Sequence, residues 1–139
     1  MAKGYEQSKL RKDALSRLGK ALVRRSNSRC ELCDIAGVKL TAFEVPPLND
    51  EPVIEHCLFI CDTCSSQIDN PKKIDVDHWR CLNSAMWSTT PVVQVVAITL
   101  LKYLADNKTD WAGDLLEQVY LEPEQQQWLD QVQIPITAR

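Results

Sequence analysis

The sequence is short of glycine, with four in 139 residues, and it has seven prolines. Those numbers exclude collagen-like repeats and low-complexity character. Long apolar runs are also missing. The richest stretch, Pro91 to Leu104, is interrupted by Gln94, Thr99 and Lys102, and falls short of the roughly 18 apolar residues a membrane span needs. The N-terminus lacks an apolar stretch of signal-peptide length. No repeat of solenoid period is visible, nor a long irregular linker. These absences predict a cytoplasmic protein without membrane contact, built as one domain or one core with an appendage. At 45% hydrophobic and 25% charged residues, the composition is that of an ordinary folded chain.

Charge is present but unevenly placed. The formal net charge is −3. Residues 1–29 carry nine basic side chains (Lys3, Lys9, Arg11, Lys12, Arg17, Lys20, Arg24, Arg25 and Arg29) against Glu6 and Asp13, a net +7. The remaining residues hold seven basic and seventeen acidic side chains, a net −10. A basic arm and an acidic body therefore cancel one another.

The basic arm reads as a helix over 5–25, with Leu10, Ala14, Leu15, Leu18, Ala21 and Leu22 at three- and four-residue steps. Ser26-Asn27-Ser28 is a stop signal. Strand and turn signals follow around Val38–Val45 and Cys57–Cys61, punctuated by Gly37, Pro46-Pro47 and Asn49-Asp50. Residues 74–87 suggest a short helix on which Trp79 and Trp87, eight apart, share a face. Thr89 or Thr90 is placed to cap a helix with Pro91 at its first position. That helix is apolar on nearly every side and should form the central core element. Asp106 to Thr109 is a break, after which Trp111, Leu115, Leu116, Val119 and Tyr120 line one face. Pro123 opens a last helix bearing Trp128, Leu129 and Val132, and Pro135 ends it.

The strongest chemical signal is Cys30-x-x-Cys33 followed by Cys61-x-x-Cys64. Two intervening residues let both thiols of a tight turn face one ion, and two such pairs supply the four ligands of a tetrahedral zinc. The reducing cytoplasm favours metal binding over disulfides. A redox C-x-x-C would sit near a βαβ pattern, which is missing. Four sulfur ligands leave no open position for water, so the Zn²⁺ is expected to be structural. Cys57 and Cys81 are expected to pack as small hydrophobes, Cys57 on the strand face of Phe59 and Cys61. The order knuckle, hairpin, knuckle, helix predicts an α+β fold. It is a treble-clef or zinc-ribbon module (short β-hairpin plus helix) on a mostly helical body, divided as 1–29, 30–70 and 71–139.

This order resembles zinc-bearing HNH endonucleases, which carry a general-base histidine in the hairpin and another just after the final cysteine. Here Leu40-Thr41-Ala42-Phe43-Glu44-Val45-Pro46-Pro47 holds no histidine, and Ser65 and Ser66 follow Cys64. Catalysis is not expected on this scaffold, because water activation needs a base beside the metal. A divergent metal-dependent hydrolase would have to use Glu44, Asp75, Asp77 and His78. The alternative for the last three is helix capping, with His78 donating a hydrogen bond at a helix–knuckle junction.

Ser28-Arg29-Cys30-Glu31-Leu32-Cys33, Phe43-Glu44-Val45-Pro46-Pro47, Ile60-Cys61-Asp62-Thr63-Cys64 and the run from Asp77 to Ser88 are similar to the N-terminal zinc-ribbon part of proteobacterial PhnA proteins. The stretch Pro91 to Ala97, then Asp114-Leu115-Leu116 and Tyr120-Leu121, extend the likeness over roughly residues 10–130. The resemblance implies a zinc-binding domain on Cys30, Cys33, Cys61 and Cys64. The family's name marks a gene cluster for alkylphosphonate uptake and implies no reaction. Longer members continue into a β-rich domain, whereas this sequence ends at Arg139.

A zinc-binding interaction module is the leading expectation. The basic helix offers Lys9, Arg17, Arg24, Arg25 and Arg29 to nucleic-acid phosphates. It could equally serve a protein partner, a homo-oligomer, or the acidic helices over 106–130 of the same chain.

Overall fold

The computed structural model describes residues 2–46 and 48–132. Its elements are α1 (Ala2–Arg17), α2 (Gly19–Ser26), β1 (Leu40–Glu44), β2 (Cys57–Cys61), α3 (Asp62–Asp69), α4 (Leu82–Ala85), α5 (Pro91–Asp106), α6 (Asp110–Leu116) and α7 (Pro123–Gln131). Single 3₁₀ turns cover Ile54–His56, Pro71–Lys73 and His78–Cys81.

The basic arm is two helices rather than one. The break falls at Leu18, ahead of Gly19, the residue whose backbone freedom costs a helix interior about 1 kcal/mol. Redirected there, α2 lays Leu22 against Cys57 and Phe59 of β2 in a small buried cluster. The stop signal acts as read. Asn27 is left-handed (φ 57°), and Ser28 N–H returns to Val23 O at 3.0 Å, closing a Schellman motif.

β1 and β2 pair antiparallel, with Leu40 opposite Cys61 and Glu44 opposite Cys57. Every residue of β2 is buried, because one face meets α2 and the other meets the main core. Leu58 and Ile60 join that core with Leu32, Val45 and Ile68. Its centre is α5, where ten residues from Val92 to Leu104 are buried. Pro91 opens α5 and Pro123 opens α7, both in the first turn, where a missing N–H costs nothing. The cysteine-rich segment and the helical body thus share one hydrophobic core.

The segment 74–87 departs from the expected continuous helix. Only His78–Cys81 and Leu82–Ala85 are helical, as a 3₁₀ turn running into one α turn. The buried Gln67 side chain explains this: its Oε1 accepts from Asp75 N–H at 2.8 Å and from Trp79 Nε1–H at 2.8 Å. These bonds fix the approach to Trp79 in a non-helical path. Trp79 is completely buried, while Trp87 is 53% exposed; the two do not share a face. Residue 135, expected to end the last helix, lies outside the described residues. No described helix is long and apolar enough to cross a membrane.

Candidate metal centre

Cys30 and Cys33 sit on the turn that follows α2. Its geometry is held by Cys30 N–H to Ile35 O at 3.0 Å and Asp34 N–H to Cys30 O at 2.9 Å. Asp34 and Gly37 take positive φ, 67° and 77°, which lets the chain reverse twice within a few residues. Cys61 ends β2 and precedes α3 in an extended conformation; Cys64 lies in the first turn of α3. The alternation along β2 therefore fails at its last residue. Cys57 and Phe59 face α2, but Cys61 belongs to the main core with Cys30 and Cys64.

The four Sγ atoms all lie within 4.8 Å of one another and could hold a metal ion. Cys30 Sγ is 3.7 Å from Cys64 Sγ, and Cys33 Sγ is 3.6 Å from Cys61 Sγ. Those separations are far beyond a disulfide bond of about 2.05 Å. Backbone N–H groups of Cys33 and Cys61 point at Cys30 Sγ, at 3.5 and 3.4 Å, as donors to a thiolate do. The Cys30 thiol is pulled down to about 4, first by the Cys64 hydrogen bond and then by these backbone donors. Its partner Cys64 is driven up by the same hydrogen bond and by burial. Cys33 is raised to about 12, mainly by burial. Three buried thiols and the half-buried Cys33 converging on one point fit a cation at their centre.

His78 is the neighbour of this group. Its Nε2 lies 3.3 Å from Cys64 Sγ, so it meets a sulfur at the helix–knuckle junction. Cys57 and Cys81 stand outside the group. Cys57 is fully buried beside Leu22, and Cys81 is half-buried against the main core.

The four residues of the hydrolase alternative are not brought together. Glu44 Oε1 and Oε2 accept from Arg11 NH2 and Nε, both at 2.6 Å. Asp75 caps the N–H of Asp77 at 3.1 Å. Asp77 faces Arg80 at 3.6 Å on the surface. Among the described residues the tetrathiol set is the one group with metal-holding geometry.

The basic residues divide. Lys9, Arg17 and Arg24 are exposed. Arg25 is not free: its Nε and NH2 donate to Glu31 Oε2 and Oε1 at 2.9 and 2.6 Å, while NH1 and NH2 also reach Ile54 O and Cys57 O. Glu31, 6% exposed, additionally accepts from Phe59 N–H at 2.8 Å. Arg29 leans on Asp34 at 3.7 Å. Among the described residues the arm's ion pairs run to the hairpin and the first knuckle, and none runs to the acidic helices over 106–130. Glu31 and Gln67 carry this architecture; Glu31 lies inside the first C-x-x-C, but neither spacing nor motif assigns either side chain a role.

No protein-family model, no curated protein and no solved structure matches the chain.

Proposed function

We propose that the chain is a structural-zinc binding module: a treble-clef-type knuckle, hairpin and helix, without a catalytic metal. The observation that carries this reading is the sulfur geometry. A zinc–sulfur bond of about 2.3 Å places tetrahedral sulfurs about 3.8 Å apart. Two of the six Sγ–Sγ separations, 3.7 and 3.6 Å, match that edge, and all six lie within 4.8 Å. A full set of four thiolates leaves no position for a substrate or water. The metal's role is then to tie the turn at Cys30–Cys33 to the β2–α3 junction. Its effect extends to Arg25 through Glu31, which lies inside the first C-x-x-C. The resemblance to the N-terminal part of PhnA proteins is consistent with the same ligand set.

Metal analysis of the purified chain tests the proposal. One zinc per chain is expected, lost together with the fold of residues 29–70 in Cys61→Ser. A folded, metal-free protein under the same conditions rejects it.

A further inference from the structure

A groove of about 1140 Å³ runs between the two N-terminal helices and the hairpin. Lys12 and Lys20 line one side, Arg24 lies at the end of α2, and Lys39 precedes β1. Its floor is apolar, including Val23, which is 40% exposed, and Leu40. No acidic residue lines it. None of these four cations makes an ion pair among the described residues. A cationic rim over an apolar floor suits an acidic segment with an apolar tip better than a bare phosphate chain. The one ring in the lining is Phe59, 9% exposed, so no platform is offered on which bases could stack.

The same chain carries the complementary surface. Residues 106–130 hold seven acids against Lys108, and none of those acids makes an ion pair among the described residues. Tyr120 stands out from this segment at 76% exposure, flanked by exposed Asp114, Glu117, Glu122 and Glu124. Among the described residues neither surface is ion-paired within one copy, and the two are opposite in charge while each offers apolar area.

We infer that the groove between α1–α2 and the hairpin is a self-association site, occupied by the acidic, Tyr120-tipped segment of a second copy. Reciprocal engagement closes a two-fold pair, in which each groove holds the partner's segment. The contact is electrostatically guided and loosens with salt.

Sedimentation velocity of the zinc-loaded full chain tests this. A pair at low salt that dissociates at high salt is expected. Lys12→Glu/Lys20→Glu weakens the pairing by about tenfold or more, since two attractions in each groove become repulsions. Glu117→Lys/Glu124→Lys does the same. Mixing the two variants restores a pair, because one groove and one segment of opposite reversed sign then meet their complements. Zinc content and thermal unfolding of each variant establish that it is folded. A chain that stays monomeric at low salt overturns the inference. So does a pair unaffected by both double substitutions, or a monomer whose groove cations instead bind a short DNA duplex.

Discussion

Arg25 and Arg24 are adjacent, equally basic, and structurally opposite, so their substitution gives a sharp test. Arg25→Ala removes both charge-assisted bonds to Glu31 and the donors to Ile54 O and Cys57 O. The Glu31 carboxylate, 6% exposed, is left with the neutral Phe59 N–H as its partner. Stranding one half of a buried ion pair costs about 3–5 kcal/mol. Total stability for a domain is about 5–15 kcal/mol, so the variant should lose a large fraction of it. Arg24→Ala, on the exposed face, should change stability by about 0.5 kcal/mol or less. Arg25→Lys should recover little, because an ammonium cannot reproduce a planar two-pronged contact while also reaching two carbonyls. Replacing both partners with apolar residues of similar volume should be milder than Arg25→Ala alone, because no charge is stranded, but still costly, because Phe59 N–H loses its Glu31 acceptor. Urea unfolding of the zinc-loaded proteins measures all four. Equal, small effects of Arg25→Ala and Arg24→Ala would falsify the internal role of Arg25.

Other substitutions probe the remaining contacts. Gln67→Leu leaves the buried Trp79 Nε1–H without its acceptor and should cost about 1–3 kcal/mol, with less from the Asp75 N–H, which lies at an exposed residue; thermal unfolding reads it. Leu22→Ala empties the cluster under α2 and should cost about 2–5 kcal/mol, with amide exchange rising first in α2 and β2. Burial, ahead of the nearby Glu44 charge, raises the Cys57 thiol to about 11. The unfolded chain ionises this thiol at lower pH than the folded one and then binds fewer protons. Stability should therefore fall as pH rises from about 9 towards 11, and less so in Cys57→Ala. His78→Ala should keep one zinc per chain, since His78 touches a sulfur from outside the tetrathiol group.

What the sequence made legible was chemistry at short range. Cys-x-x-Cys fixes two sulfurs on one turn, so four ligand candidates could be named before any fold was known. Pro91, Pro123 and Ser26-Asn27-Ser28 marked helix ends because proline and left-handed caps act within a turn. Contacts made across the chain were not legible. Arg25 looked like a phosphate ligand until Glu31 and two carbonyls from residues 54 and 57 surrounded it. The helix expected over 74–87 was shortened by Gln67, which sits on another element and competes for its donors. Helical spacing then misassigned Trp79 and Trp87 to one face. The break before Gly19 carried only a weak local signal, and the packing of Leu22 against β2 decided it. Charge asymmetry was visible as a sum, whereas Glu44 of the hairpin and Glu31 of the first knuckle, which neutralise Arg11 and Arg25, could be found only in three dimensions.

The proposed ligand set, Cys30, Cys33, Cys61 and Cys64, surrounds one zinc with sulfur alone. X-ray absorption at the zinc edge of the purified full chain tests it most directly. A single shell of four sulfur scatterers at about 2.3 Å is expected, unchanged in His78→Ala. A shell containing nitrogen or oxygen, or fewer than four sulfurs, would contradict it.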